Sequence, residues 1–121
     1  MTFMLVALGG AAGSLARWGL SGGVRQATGL AFPWGTLAVN VIGCAAIGAL
    51  AAWAPRWGLP EPWRVALQVG VLGGFTTFSS FGLETFRLAE GGAPGRAALY
   101  VVATNLACLA AVWLAVRGSG S

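Results

Sequence analysis

The sequence predicts an all-α membrane protein with four transmembrane helices per subunit, the third of them broken near its middle. The 121 residues are 57% hydrophobic and 8% charged, whereas a typical soluble domain has about 25% charged residues. The apolar residues form four runs of bilayer-spanning length, separated by short segments rich in Gly and Pro. A chain of this size cannot bury so much apolar surface in a water-soluble core, so its solvent is lipid.

The four spans define a single integral membrane domain over residues 1–121. They are predicted at residues 3–24, 34–53, 62–89 and 96–116. The first is too long for a cleaved signal segment and is followed by three more spans. Both termini then lie on the same side of the membrane, and the tail at 118–121 is predicted to be disordered.

The third span contains the least regular stretch of the chain, GGFTTFSSFG at Gly73–Gly82. Two adjacent glycines, four hydroxyl side chains and three phenylalanines fall at its midpoint. Backbone groups freed from a helix cost several kcal/mol each in hydrocarbon, so they persist only inside protein or along a polar cavity. We therefore interpret this stretch as the centre of a small membrane pore.

Small residues recur at a spacing that favours close helix contacts. The three examples are Gly9-x-x-x-Gly13, Gly19-x-x-x-Gly23 and Gly70-x-x-x-Gly74. This spacing indicates tight packing and no particular activity.

The arginines indicate how the chain inserts. All seven basic residues are arginine and none forms a patch, which argues against a nucleic-acid partner. Apart from Arg17 inside the first span, three arginines fall on each side of the membrane, so the positive-inside rule favours neither orientation. This balance suggests a dual-topology, antiparallel homodimer with an axis in the membrane plane. One weakly preferred orientation is the alternative.

Residue types that support catalysis or metal binding are scarce. Histidine is absent and only three carboxylates occur, so the protein is predicted not to be an enzyme. Cys44 and Cys108 each lie inside an apolar run, which favours a packing role over a disulfide or a metal pair.

Polar residues within the spans are the candidate pore residues. Asn40 lies about two turns into the second span, where its amide either bridges helices or donates to an anion. Tyr100, Thr104 and Cys108 share one face of the fourth span. Their polar groups form an anion track or bond to carbonyls of their own helix, and the two alternatives carry equal weight.

The aromatic and charged candidates lie near the break. Phe78 and Phe81 share a face, and aromatic ring edges are electropositive enough to contact an anion. Ordinary core packing is the usual role of such a pair, but the neighbouring hydroxyls of Thr77 and Ser79 favour the pore. Arg17, inside the first span, either snorkels to the interface or lines a water-filled vestibule. The only other charged candidate is Glu84, which is the one acid at membrane depth.

Three stretches resemble the signatures of the Fluc (CrcB-type) fluoride channels. They are GGAAGSLARW (Gly9–Trp18), WGTLAVNVIGC (Trp34–Cys44) and GVLGGFTTFSSFGLET (Gly70–Thr85), and the resemblance covers all four spans in order. It implies a fluoride-selective passive channel that exports fluoride across the plasma (inner) membrane and relieves fluoride toxicity. It also implies an antiparallel homodimer with two pores.

The resemblance further implies roles for individual residues. A structural sodium ion at the dimer centre would be held by the backbone carbonyls of Gly73 and Thr76 from both subunits. The pore residues would be Asn40, Thr77, Phe78, Ser79, Phe81, Tyr100 and Thr104. Arg17 and Glu84 match positions near the vestibules, and Cys108 stands where serine is expected.

The main alternative is a small four-helix, proton-coupled transporter of the multidrug or guanidinium type. Such transporters use a buried carboxylate in the first span, and Phe3–Val24 contains no Asp or Glu. A membrane assembly subunit would explain the glycines but not the polar break in the third span.

Overall fold

The computed structural model describes residues 1–120 and is entirely helical. The elements in chain order are α1 (Thr2–Thr28), α2 (Trp34–Trp57), α3 (Glu61–Val65), a π-helix (Ala66–Leu72), α4 (Gly73–Phe75), α5 (Phe78–Glu90) and α6 (Pro94–Gly120). Within the described residues, four helical segments are long and apolar enough to cross a membrane, with residues 61–90 forming the third. The predicted all-α, multi-pass class is confirmed.

The helices extend a few residues beyond the predicted spans. α1 has 27 residues and is therefore about 40 Å long, more than the hydrocarbon core requires. Backbone hydrogen bonding continues beyond the ends of the apolar runs, so the apolar pattern alone underestimates the length of the helix. α6 likewise includes residues 118–120, which were predicted to be a disordered tail. The last residue of that tail, 121, lies outside the described residues.

α2 ends in a sharp turn before the third span. Pro55 lies in its last turn, and Gly58 follows with a left-handed backbone (φ 62°, ψ 36°). Only glycine adopts this conformation without steric cost, and it allows the Gly58 amide to donate to Pro55 O at 3.4 Å. The chain then enters α3 and returns across the membrane.

Two helix pairs make most of the contacts, since α1 packs along the first half of the third span and α2 packs along α6. In addition, α5 packs on α6. The first pair is close because glycines face each other. A Cβ at Gly74 would lie 2.7 Å from Gly10 O, and a Cβ at Gly13 would overlap Val71 O. Two of the predicted small-residue motifs therefore form a helix contact.

The remaining small-residue motif has no such partner. A Cβ at Gly19 or Gly23 would meet nothing within 4 Å among the residues that the structure describes. The prediction of a close helix contact at this motif is wrong for the single chain, although its spacing is the same as that at Gly9 and Gly13.

The helix of the third span is interrupted between α4 and α5. Thr76 (φ −86°, ψ 158°) and Thr77 (φ −149°, ψ 121°) are extended. Their peptide groups therefore leave the helical hydrogen-bond pattern in the middle of the span. These two residues, here called the extended pair, lie at the centre of the site described below.

Candidate functional site

The site contains two cavities, of which one is lined by Ser80, three residues after Thr77, and the other by the extended pair. The first, the mouth cavity, has a volume of about 630 Å³ and lies between the α1–α2 connection and the end of α5. Its polar side chains are Ser21, Arg25, Thr36, Ser80, Glu84 and Arg87. The second, the central cavity, has a volume of about 340 Å³ and lies at mid-membrane between α2, the third span and α6.

The central cavity collects most of the predicted site residues. Its lining includes Asn40, Gly73, Thr76, Thr77, Phe78, Phe81 and Thr104. Glu84 instead lines the mouth cavity. Ser79, Tyr100 and Arg17 line neither cavity, and their positions are described below. Residues distant in sequence thus converge on one mid-membrane space.

Asn40 holds the extended pair in place. Its Nδ2 donates to Thr77 O at 3.0 Å, and Thr77 N donates to its Oδ1 at 2.8 Å. The side-chain amide therefore replaces both hydrogen bonds that Thr77 would make in a continuous helix. Asn40 is only 8% exposed, so these bonds are largely shielded. The sequence left bridging and anion donation open, and the structure assigns Asn40 at least the bridging role.

The Thr77 side chain starts α5 and connects the cavities. Its Oγ1 accepts from Ser80 N at 3.2 Å, which is the N-cap bond of α5, and donates to Ser80 Oγ at 3.2 Å. Ser79 Oγ is 3.4 Å away. Because Thr77 lines the central cavity and Ser80 lines the mouth cavity, these hydroxyls form a short polar connection between the two spaces.

The Thr104 hydroxyl has no hydrogen-bond partner within the described residues. Thr104 is 6% exposed, its Oγ1 is buried, and it lines the central cavity. A buried hydroxyl without a partner costs about 1–3 kcal/mol. The alternative in which the fourth-span hydroxyls bond to their own helix does not hold for this residue.

Aromatic rings form one wall of the site. Phe81 is 7% exposed, and its ring centroid lies 5.5 Å from that of Phe78 and 5.0 Å from that of Tyr100, the latter edge-on. Phe78 is 81% exposed, so its ring lies at the surface of the single chain. Tyr100 is fully buried and also meets the edge of Phe32 at 5.4 Å.

Tyr100 lies toward the mouth cavity. Its hydroxyl donates to Glu84 Oε1 at 3.2 Å. Glu84 and Thr36 both line the mouth cavity. Tyr100 and Thr104, which were predicted to share one face of α6, therefore lie at different cavities. Thr104 lines the central cavity, whereas Tyr100 donates a hydrogen bond to Glu84 at the mouth cavity.

Arg17 forms a hydrogen bond to the interrupted backbone of the third span, and it does not line the mouth cavity. Its Nε donates to Gly74 O at 3.0 Å. In a continuous helix that carbonyl would accept from Phe78 N, so Arg17 supports the interrupted backbone. The cations that line the mouth cavity are Arg25 and Arg87.

Other lining residues were missed in the sequence. Thr36 lies one turn before Asn40 on α2, and this i, i+4 spacing is a signal that could have identified it. Gln68, Cys44 and Asn105 also line the central cavity. No local pattern distinguishes them, because their roles depend on which helices meet.

Similarity to known proteins agrees with this geometry. The family model described as "CrcB-like protein, Camphor Resistance (CrcB)" matches residues 4–116. The chain belongs to the CrcB-like family. A relative in Rhodospirillum rubrum is 47% identical over 98% of this chain and 95% of its own, and one in Geobacter sulfurreducens is 47% identical over 98% and 96%. A third, in Methylobacillus flagellatus, is 51% identical over 92% and 88%.

All three relatives are named "Fluoride-specific ion channel FluC". The resemblance to the CrcB-type channels is therefore confirmed, and so is the prediction that this CrcB-like protein is not an enzyme. With four helices capable of spanning a membrane, it is a multi-pass membrane protein.

Proposed function

We propose that this CrcB-like protein is a fluoride-selective passive channel that exports fluoride across the plasma (inner) membrane. The observation that supports it most is the buried, unpartnered Thr104 hydroxyl at the central cavity. A small, strongly hydrated anion requires donors in place of its water, and this hydroxyl has no protein acceptor within the described residues. The names of the relatives support fluoride as the ion.

The other donors at the cavity are neutral. Asn40 uses one Nδ2 hydrogen on Thr77 O, which leaves its second hydrogen for an anion. The ring edges of Phe78 and Phe81 are electropositive and also line the space. Neutral groups solvate fluoride without the fixed charge that would hold it too long for rapid conduction.

The route to one side of the membrane runs through the Thr77–Ser80 connection into the mouth cavity. Two arginines and one carboxylate, Arg25, Arg87 and Glu84, line that space. The excess positive charge raises the local anion concentration. Tyr100 holds the carboxylate at one wall through its 3.2 Å hydrogen bond.

We further propose that two chains assemble as an antiparallel homodimer. Gln68, Gly73, Ser79 and Asn105 are exposed at mid-membrane depth on the single chain, beside the exposed ring of Phe78. Polar groups facing lipid are costly, and a second copy covering this face would remove the cost. The even distribution of arginines supports insertion in both orientations.

A structural sodium ion at the dimer centre fits the carbonyls of Gly73 and Thr76. In a continuous helix these oxygens would accept from Thr77 N and Ser80 N, but those amides donate to Asn40 Oδ1 and Thr77 Oγ1. Arg17 occupies the intervening carbonyl of Gly74. Neutral oxygens at a helix break suit a hard cation, which would supply charge and coordination there.

The driving force needs no coupling residue. With the cell interior negative, the membrane potential provides about 2.3 kcal/mol per elementary charge per 100 mV to move an anion outward. The proton-coupled multidrug or guanidinium alternative is not favoured, because α1 contains no Asp or Glu.

Efflux from proteoliposomes tests the passive mechanism. Liposomes loaded with potassium fluoride at equal pH on both sides should release fluoride once valinomycin sets a potassium potential. A fluoride electrode records the release, with protein-free liposomes as the control. A requirement for a pH gradient would point to proton coupling instead.

A further inference from the structure

The two cysteines of the chain meet at the central cavity. Cys44 on α2 and Cys108 on α6 are both free and partly exposed, and both line this cavity. The helices that carry them, α2 and α6, pack against each other beside this cavity. The sequence indicated a packing role for each cysteine, and their position at one cavity is a feature of the tertiary structure.

We propose that Cys44 and Cys108 form a two-coordinate site for a soft, thiophilic metal cation in the wall of the pore, and that occupation of this site blocks conduction. Mercury(II) and silver(I) prefer two thiolates in a linear arrangement, and soft sulfur ligands select such metals over hard ones. With metal–sulfur bonds of about 2.3 Å, the two sulfurs would lie about 4.6 Å apart on opposite sides of the metal.

The surroundings favour two-coordinate metals over zinc. Zinc in structural sites takes four ligands. In the part of the chain that the structure describes, no group of three or more His, Cys, Asp or Glu side chains could hold a metal ion. The pair is therefore suited to a metal that is satisfied by two sulfurs.

Binding of mercury(II) involves no oxidation or reduction. With mercury(II) chloride, two S–H and two Hg–Cl bonds break and two S–Hg bonds form. Two protons pass to water and two chloride ions leave, which gives a neutral bis-thiolate complex. The complex would lie one helical turn from Thr104 on α6 and on the same helix as Asn40. It would therefore obstruct the space beside the proposed fluoride donors.

Metal stoichiometry tests the site without any flux measurement. The reduced, purified full-length protein is incubated with mercury(II) chloride, desalted in excess monothiol such as 2-mercaptoethanol, and assayed for bound mercury. We expect one mercury per chain, because a chelating pair resists a competing monothiol. Cys44→Ser and Cys108→Ser should each lose it. Two mercury ions per wild-type chain, or equal retention by the single variants, would overturn the pair.

A flux arm tests the location in the pore and rests on the proposed function. Mercury(II) chloride should slow wild-type fluoride efflux at least tenfold, dithiothreitol should restore it, and the Cys44→Ser/Cys108→Ser double variant should be insensitive. Stoichiometric mercury binding without any loss of flux would overturn the pore-wall placement. A wild-type protein that conducts no fluoride before metal is added would refute the proposed function, while the binding arm would still decide the site.

Discussion

Asn40 and Thr77 exchange two hydrogen bonds in opposite directions, at 3.0 and 2.8 Å, between α2 and the interrupted third span. The side-chain amide of Asn40 thus replaces the two backbone hydrogen bonds that Thr77 would make in a continuous helix. The extended pair, Thr76 and Thr77, is stable at mid-membrane because this partner is supplied from another helix. The stability of the break and the shape of the central cavity therefore depend on the same residue.

Replacement of Asn40 should destabilise the protein strongly. Asn40→Leu removes both bonds and leaves two shielded backbone groups of Thr77 without partners, each costing about 1–3 kcal/mol. We expect a clearly lower midpoint of thermal unfolding in detergent. Thr28→Val is the control, since Thr28 is exposed, lines neither cavity and donates only to Val24 O of its own helix. Equal midpoints for the two variants would show that Asn40 does not support the break.

Replacement of Thr104 should separate conduction from stability. Thr104→Val keeps the shape and removes a hydroxyl that has no partner within the described residues, so the unfolding midpoint should stay the same or rise. A hydrogen bond to a charged group contributes about 1.5–3 kcal/mol, which corresponds to a fluoride flux about 10- to 100-fold lower. Thr104→Ser should conduct normally. If Thr104→Val loses stability but retains flux, the hydroxyl is structural.

Gly13 should tolerate no side chain. In Gly13→Ala the new Cβ would overlap Val71 O, a backbone atom that cannot move without shifting the π-helix. Overpacking of this kind costs about 1–3 kcal/mol and should lower the unfolding midpoint. Gly19→Ala is the control on the same helix, because its Cβ would meet nothing within 4 Å of the described chain. Comparable losses in both variants would mean that α1 does not pack as described, or that Gly19 meets a second subunit.

Phe81 should be required for conduction. Phe81→Ile keeps an apolar side chain between Phe78 and Tyr100 but removes the aromatic edge from the central cavity, and we expect fluoride efflux to be abolished with folding intact. Phe86→Ile on the same helix is the control, since Phe86 is 60% exposed and absent from both cavity linings. Size-exclusion elution reports folding. Normal efflux from Phe81→Ile would refute the aromatic-edge contribution.

The sequence predicted an all-α protein with four helices able to span a membrane because this class follows from local composition. Apolar length specifies a transmembrane helix, and Gly-Gly followed by Thr-Thr weakens one. The helix contacts could not be predicted in the same way, because lipid-facing and helix-facing residues are both apolar. The motifs at Gly9 and at Gly19 have the same spacing, yet only the first meets a partner in the chain.

The contacts among the candidate residues could not be predicted from the sequence. Helical spacing grouped Tyr100 with Thr104, but the structure separates them, one bracing Glu84 and the other facing the central cavity. Arg17 was expected at a vestibule or an interface and binds the carbonyl of Gly74. These hydrogen bonds depend on the positions of atoms in a neighbouring helix, and the sequence of one span does not predict those positions.

The ion selectivity of reconstituted protein tests the central claim most directly. Proteoliposomes loaded with either potassium fluoride or potassium chloride are treated with valinomycin, and release of each anion is followed with its own electrode. The proposed channel should empty the fluoride-loaded liposomes, while chloride release should match that of protein-free liposomes. Chloride release as fast as fluoride release, or no fluoride release from correctly folded protein, would contradict it.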